Sequence, residues 1–370
     1  MGRNNVLVTP TESIGLLSHI AGVADTRDLA GARLFVYGFP SLYGGAGNEL
    51  HHQIVLWQSL GAEVHLIPSE PDYADEPLFP ELLEQDVVIH ELNDFSSVEP
   101  GAPVFGFCSA QFLENIDAIR ERSTNTVFVN CMTWLFQLEL KRMAEGKIRT
   151  FLYQNDDVRV PNSFLLRSLN PSAAVNFLTF VPFFDKSRFP FNEQRPDDYF
   201  GCGRISRQDA DKYSADTLLI YEYFVAPKPK RGIFLGFDAR SEAKIGQPYD
   251  WIRTAADQTE CSQQEFYRHC EIVLQPSDTK ENWPRVGLEA MASGSVLIVD
   301  NRGGWQLQVE HGVTGWLCDH ERDFIYYASK MAYEPELRQE MAVRARDRVV
   351  ALAGPASSRQ SWLEVFDVIL

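Results

Sequence analysis

Positive charge is missing from a long early stretch of this chain. Between Leu34 and Ile119 there is no Lys or Arg, while the same span carries 14 Asp or Glu. A nucleic-acid or anionic-membrane surface needs clustered cations, and this stretch supplies none. The whole chain of 370 residues has 34 basic and 51 acidic side chains, a formal net charge of −17. CxxC spacing is also absent: Cys108, Cys131, Cys202, Cys261, Cys270 and Cys318 are scattered. That argues against a zinc ribbon or a disulfide framework and suits a reducing compartment. No apolar run approaches the roughly 20 residues of a membrane-spanning helix, and no basic segment followed by an apolar run opens the chain. The expectation is a soluble cytoplasmic protein with no stable membrane anchor and no nucleic-acid partner.

What is present is the composition of a globular enzyme, 45% hydrophobic and 23% charged. A chain of this length exceeds what one core usually organises, so two domains are expected. Short apolar runs at Leu34–Gly38, Glu63–Ile67, Val87–His90, Val104–Cys108, Thr126–Cys131 and Arg149–Tyr153 read as strands. Helical patterns at Asn48–Leu60, Gln111–Arg122 and Leu135–Glu145 lie between some of them. The pattern breaks at the Pro- and Phe-rich stretch from Val181 to Pro196, which sets the boundary at residue 186. A second alternation follows: strands at Tyr199–Cys202, Gly232–Leu235, Glu271–Leu274 and Ser295–Val299, with helices at Ala215–Phe224 and Pro284–Ser293. Continuous apolar strands alternating with helices predict parallel sheets covered on both faces. The fold class is therefore α/β, with two Rossmann-like domains and a ligand site in the cleft between them.

Three segments carry candidate chemistry. In Glu281-Asn-Trp-Pro-Arg-Val-Gly-Leu-Glu289, Pro284 is placed as the first helical residue and Gly294 as the residue just past the end, giving a helix of about three turns. The amides of Arg285, Val286, Gly287 and Leu288 would then form an anion site at the helix start, with Gly287 allowing close approach of a phosphate. Glu289 sits in an apolar run, where an unpaired carboxylate costs several kcal/mol. It needs hydroxyl or amide donors, either from within the fold or from a ribose diol. The second segment is Gly201-Cys-Gly-Arg204-Ile-Ser-Arg207 with Asp211-Lys212, where Arg204 and Lys212 offer cations for phosphate oxygens or for solvent. The third is Tyr43-Gly44-Gly45-Ala46-Gly47-Asn48-Glu49. It supplies the first two glycines of a dinucleotide fingerprint but has Leu50 where the third belongs, and it also suits a tight turn.

Taken in this order, the segments resemble the retaining glycosyltransferases of GT-B fold, in particular glycosyltransferase family 4. The resemblance is strongest from Phe200 to Leu317. It rests on Glu281 and Glu289 in a Glu-x7-Glu arrangement, the helix between them, Gly303-Gly304, and Gly312-Val-Thr-Gly315. It implies an acceptor-side domain over residues 1–186, a donor domain over 187–355, and a last helix over 356–370 that returns to the first domain. It further implies that Glu289 holds the ribose of a nucleotide sugar and that Glu281 contacts the transferred sugar. Arg204 and Lys212 would hold the diphosphate, over a loop formed by Gly44 and Gly45. The nucleoside diphosphate sugar is then a donor substrate, with no metal or other cofactor. The family's first-domain His has no direct counterpart: Cys131 occupies the matching slot, and His90 ends an earlier strand as a possible substitute. The acceptor is expected to be neutral or cationic, because residues 1–186 hold 12 basic and 23 acidic side chains. Rival readings are an NAD-dependent enzyme using Gly44–Gly47, a sugar-nucleotide epimerase on the same fold, and a protein that binds a nucleotide sugar without turnover.

Overall fold

The computed structural model describes residues 28–42 and 44–370; Tyr43, quoted with the glycine loop, lies outside them. The first unit is built on seven strands: β1 Arg33–Tyr37, β2 Glu63–Ile67, β3 Val88–Ile89, β4 Val104–Phe107, β5 Thr126–Asn130, β6 Thr150–Tyr153 and β7 Asn176–Thr179. They pair in the order β3-β2-β1-β4-β5-β6-β7, all parallel. The apolar runs are continuous because both faces are covered and side chains alternate. Leu34 and Val36 of β1 join a core with Ile54, Trp57 and Val64 on one face. Phe35 and Tyr37 join Phe112, Phe128 and Phe151 on the other.

The second unit repeats the design with six parallel strands: β8 Phe200–Ile205, β9 Lys230–Leu235, β10 Ile252–Ala255, β11 Ile272–Gln275, β12 Val296–Asp300 and β13 Gly315–Cys318. Their order is β10-β9-β8-β11-β12-β13. Each sheet reverses direction of winding once, between β1 and β4 and between β8 and β11. Open α/β sheets bind ligands at the carboxyl ends of the strands beside such a reversal.

Local departures from the sequence reading have physical causes. The first helix runs Gly45–Ser59 and starts three residues earlier than its apolar pattern. Gly44 has φ +99°, a conformation that lets the chain turn into the helix at once. The single helix expected over Gln111–Arg122 is two, Ala110–Glu114 and Ile116–Arg122. Asn115 divides them, and its side-chain amide is held by the Tyr37 hydroxyl at 3.1 Å. The helix after β11 is shorter than expected, Arg285–Ala292, with Pro284 as its cap. Gly294 follows its end at φ +81°.

The chain crosses between the two units twice, at residues 181–185 and at Gly354. The crossings touch, since the Phe184 amide donates to the Ala353 carbonyl at 2.8 Å. The last helix, Pro355–Ile369, lies on the first unit. Trp362 stacks edge-on against Trp57 at 4.9 Å, and its indole N–H donates to Gln53 Oε1 at 2.7 Å. No helix among the described residues is long and apolar enough to cross a membrane.

Candidate functional site

A cavity of about 830 Å³ opens between the carboxyl ends of the two sheets, lined by both units. That volume lies within the roughly 300–1,000 Å³ of small-molecule sites. Its second-unit wall carries charge. Arg204, at the end of β8, lines the cavity yet is only 1% exposed. Its guanidinium stacks over the Tyr213 ring at 3.5 Å and donates to the Pro276 and Lys212 carbonyls at 3.2 and 2.6 Å. Nε has no hydrogen-bond partner among the described residues, and burial pulls its pKa below the ordinary value. A buried cation held only by carbonyls and an aromatic face is stabilised by an arriving anion.

Lys212 and Glu281 meet on the same wall, with Nζ 2.6 Å from Oε1. Glu281 stands in the loop after β11, and its carbonyl is fixed by the Gly304 amide at 2.8 Å. Gly303 and Gly304 serve that loop. A Cβ on Gly303 would meet the Glu281 carbonyl at 2.5 Å, and one on Gly304 the Asn282 carbonyl at 2.0 Å.

Glu289 faces the cavity from the helix Arg285–Ala292 and is 3% exposed. Burial raises its carboxyl pKa, opposed by Arg285 and by the Tyr267 hydroxyl. The donors it requires come partly from within the fold. Tyr267 Oη and Gln263 Nε2 both reach Oε2, at 2.9 and 3.3 Å. Tyr267 escaped sequence reasoning, because nothing in its local pattern points 22 residues ahead.

The four amides expected at the helix start do not act alike. Arg285 and Val286 line the cavity; Gly287 and Leu288 do not. The Gly287 amide is bonded to the Pro284 carbonyl at 3.0 Å. Its missing Cβ makes room for Gln308 Oε1, which a Cβ would meet at 2.2 Å. Gly287 is therefore a packing glycine. Leu288 is fully buried in the second core.

The Arg285 side chain has an unexpected destination. It crosses the cleft to Glu49 Oε2 at 3.1 Å, Asn48 Oδ1 at 3.2 Å and the Phe183 carbonyl at 3.1 Å. Glu49 is fully buried, which raises its carboxyl pKa against the pull of Arg285. Gln154 Nε2 also reaches Glu49, and Gln154 Oε1 accepts from Asn282 at 3.0 Å. Asn282 in turn accepts from Asn155 at 2.6 Å. A buried polar network thus ties the two units together beneath the cavity.

The first-unit wall differs. Gly44 and Gly45 line it, and a Cβ on either would meet nothing within 4 Å, so the loop faces open space. Cys131 lies on this wall beside Cys108, whose Sγ accepts the Cys131 amide at 2.9 Å. Its thiol pKa is pushed well up by the hydrogen bond to Cys108 and by burial. His90 is elsewhere, stacked on His65 at the far side of the sheet with their ring nitrogens 3.0 Å apart. Of the two candidates for the His slot, only Cys131 reaches the cavity. Met132, Trp134 and Phe136 complete the wall.

Comparison with known proteins bears on this geometry. Residues 260–348 match the family model described as "Glycosyl transferases group 1". A segment of 111 residues is 31% identical to alpha-1,3/1,6-mannosyltransferase ALG2 of Homo sapiens, covering 29% of this chain and 25% of that protein. Among solved structures, HepE of Anabaena in complex with UDP-glucose superposes with a TM-score of 0.67 at 15% identity, over 91% of this chain and 99% of that one. A glycosyltransferase from Rickettsia africae ESF-5 gives 0.66 at 14% identity, over 92% and 99%. Sucrose-phosphate synthase from Thermosynechococcus elongatus gives 0.65 at 14%, over 91% and 100%. At these identities the structural likeness is one of fold. The chain has the GT-B architecture of two Rossmann-like units facing across a cleft, and part of its second unit matches the glycosyl transferases group 1 family.

Proposed function

We propose that this protein is a retaining glycosyltransferase of family 4 type, moving a sugar from a nucleoside diphosphate sugar to a hydroxyl acceptor. The observation that supports it is the convergence of Arg204, Lys212, Glu281 and Glu289 on one wall of a single cavity, opposite Gly44 and Gly45. In this reading Glu289 takes the ribose hydroxyls with the oxygen that Tyr267 and Gln263 leave unengaged. Arg204 and Lys212 hold the diphosphate, with the amides of Arg285 and Val286 beside them. Glu281 exchanges part of its contact with Lys212 for hydroxyls of the transferred sugar. Gly44 and Gly45 let donor and acceptor approach the first unit closely.

The chain's task is to stabilise the departing diphosphate and a cationic sugar, which fixed charges do without reorganisation. Cys131, with its raised pKa, is a poor base. The acceptor proton therefore goes to a donor phosphate oxygen, and attack on the leaving-group face retains configuration. Positive charge from Arg204 and Lys212 takes the place of a metal ion at the diphosphate. The same Cys131 slot favours one second reading, a protein that binds the nucleotide sugar without transfer.

A thermal-shift series with UDP-, GDP-, ADP- and TDP-sugars tests donor binding, because a ligand of the folded state raises its apparent stability by RT ln(1 + [L]/Kd). One base is expected to give a clear rise. No rise with any of the four removes the proposal.

A further inference from the structure

The cavity is electrically divided. Among the described residues, its cations and carboxylates belong to the second unit, while the first-unit residues that line it carry no formal charge. Leu42, Met132, Trp134 and Phe136 make that wall largely apolar. Trp134 is 49% exposed, so about half of its indole is accessible to a molecule in the cavity. Phe136 backs it edge-on at 4.6 Å.

The loop that presents these rings is braced from below. Asn130 donates to Glu139 at 2.9 Å and to the Trp134 carbonyl at 3.2 Å, and accepts the Met132 amide at 2.7 Å. Glu139 also accepts the Phe136 amide at 2.6 Å. The aromatic wall is thus held in place before any ligand arrives. Several described cations of the first unit lie at the other end of its sheet, while Arg159, in the helix that follows β6, is paired with Asp156 and does not line the cavity. Arg122 ends the helix before β5, and Lys147 and Arg149 directly precede β6. Lys147 is paired there with Asp117 and Glu145.

We infer that the acceptor is an uncharged hydroxyl compound with a flat apolar face that stacks on Trp134. This rests on the glycosyltransferase reading and narrows its substrate class. The CH face of a pyranose and the ring of an aryl alcohol share that chemistry. A phosphate- or carboxylate-bearing acceptor would meet a wall that, among the described residues, has no cation to receive it.

Saturation-transfer NMR tests the inference, with methyl α-D-glucopyranoside, 4-hydroxybenzyl alcohol and glucose 6-phosphate as probes on protein saturated with the best-binding nucleoside diphosphate. At least one neutral probe is expected to bind through its ring protons. Trp134→Ala should weaken that probe by about tenfold, the weight of one good aromatic contact, and Trp134→Phe should restore most of it. Saturation on the pyranoside alone points to a sugar acceptor, and on the alcohol alone to an aryl one. Tighter binding of glucose 6-phosphate than of both neutral probes overturns the inference, as does neutral-probe binding that Trp134→Ala leaves unchanged, or no neutral probe binding at all. The thermal shift from the nucleoside diphosphate is recorded on the same samples. Its absence in the wild type would instead count against donor binding, so the two readings fail separately.

Discussion

The ammonium of Lys212 lies 2.6 Å from Oε1 of Glu281, joining the loop after β8 to the loop after β11. Both side chains are about one-fifth exposed, so the pair adds roughly 1 kcal/mol or less to folding. Its larger effect is expected on binding. Lys212→Ala should lower affinity for a nucleoside diphosphate by about 1.5–3 kcal/mol, the range for a charged hydrogen bond, while the parent nucleoside binds nearly as before. Isothermal titration of both ligands checks this; equal losses would place Lys212 away from the phosphates.

Arg204 is expected to behave differently, because it is buried as well as charged. Arg204→Ala should cost stability, by roughly 1–3 kcal/mol for the carbonyls it leaves unpaired, and should also abolish discrimination in favour of the diphosphate. Arg204→Lys should not rescue, since an ammonium lacks the planar fork that stacks on Tyr213. Urea denaturation together with titration separates the two effects. A lysine variant of full affinity would contradict the geometry.

Glu289→Ala is expected to remove the preference for ribose. Wild-type protein should bind the ribonucleoside diphosphate more tightly than its 2′-deoxy analogue, by about 1–3 kcal/mol. The variant should treat the two alike. Retained discrimination would assign Glu289 to holding Tyr267 and Gln263 alone.

The Glu49–Arg285 pair sits in the connection between the units. Breaking it one-sidedly leaves an uncompensated buried charge, so Arg285→Met should destabilise by about 3–5 kcal/mol. Adding Glu49→Gln should recover much of that loss. Chemical denaturation of the single and double variants measures the coupling, and additive losses would show that the two groups act independently.

How much of this was legible in the sequence varies from residue to residue. The strands of both sheets show as apolar runs because burial on two faces leaves little room for polar residues in either. Pro284 and Gly294 bracket a helix on local backbone grounds alone, although its true length is eight residues. Glu289 stands out because a core run does not tolerate charge without reason, and Glu281 through its eight-residue spacing from Glu289. Arg285 stood out for its amide alone; its side-chain role was hidden because its partner Glu49 is 236 positions away. Gly287 looked like a phosphate glycine and turned out to clear space for Gln308, a contact that only the folded chain makes. Trp134 has no periodic signature, because it sits in a loop whose shape depends on Asn130 and Glu139.

Glu139 supplies a pH-dependent prediction. Burial pushes its carboxyl from 4.5 up to about 7, against the hydrogen bonds from Phe136 and Asn130. The folded state therefore holds this proton more tightly than the unfolded state does. Its stabilising contribution is complete below pH 4.5 and is lost progressively as pH rises through about 7. Compared with Glu139→Gln, which does not titrate, the wild type should lose melting temperature between pH 5 and pH 8, on the order of a few degrees. A difference between the two proteins that does not change with pH would contradict the shift.

The central claim is transfer with retention from a nucleoside diphosphate sugar. Proton NMR tests it most directly, by following an α-linked donor with a neutral acceptor, in wild type and in Glu281→Ala. The account predicts a product whose anomeric centre keeps the α configuration, with formation sharply slowed in the variant. A β-configured product, or bound donor that is never consumed with any hydroxyl acceptor, would contradict it.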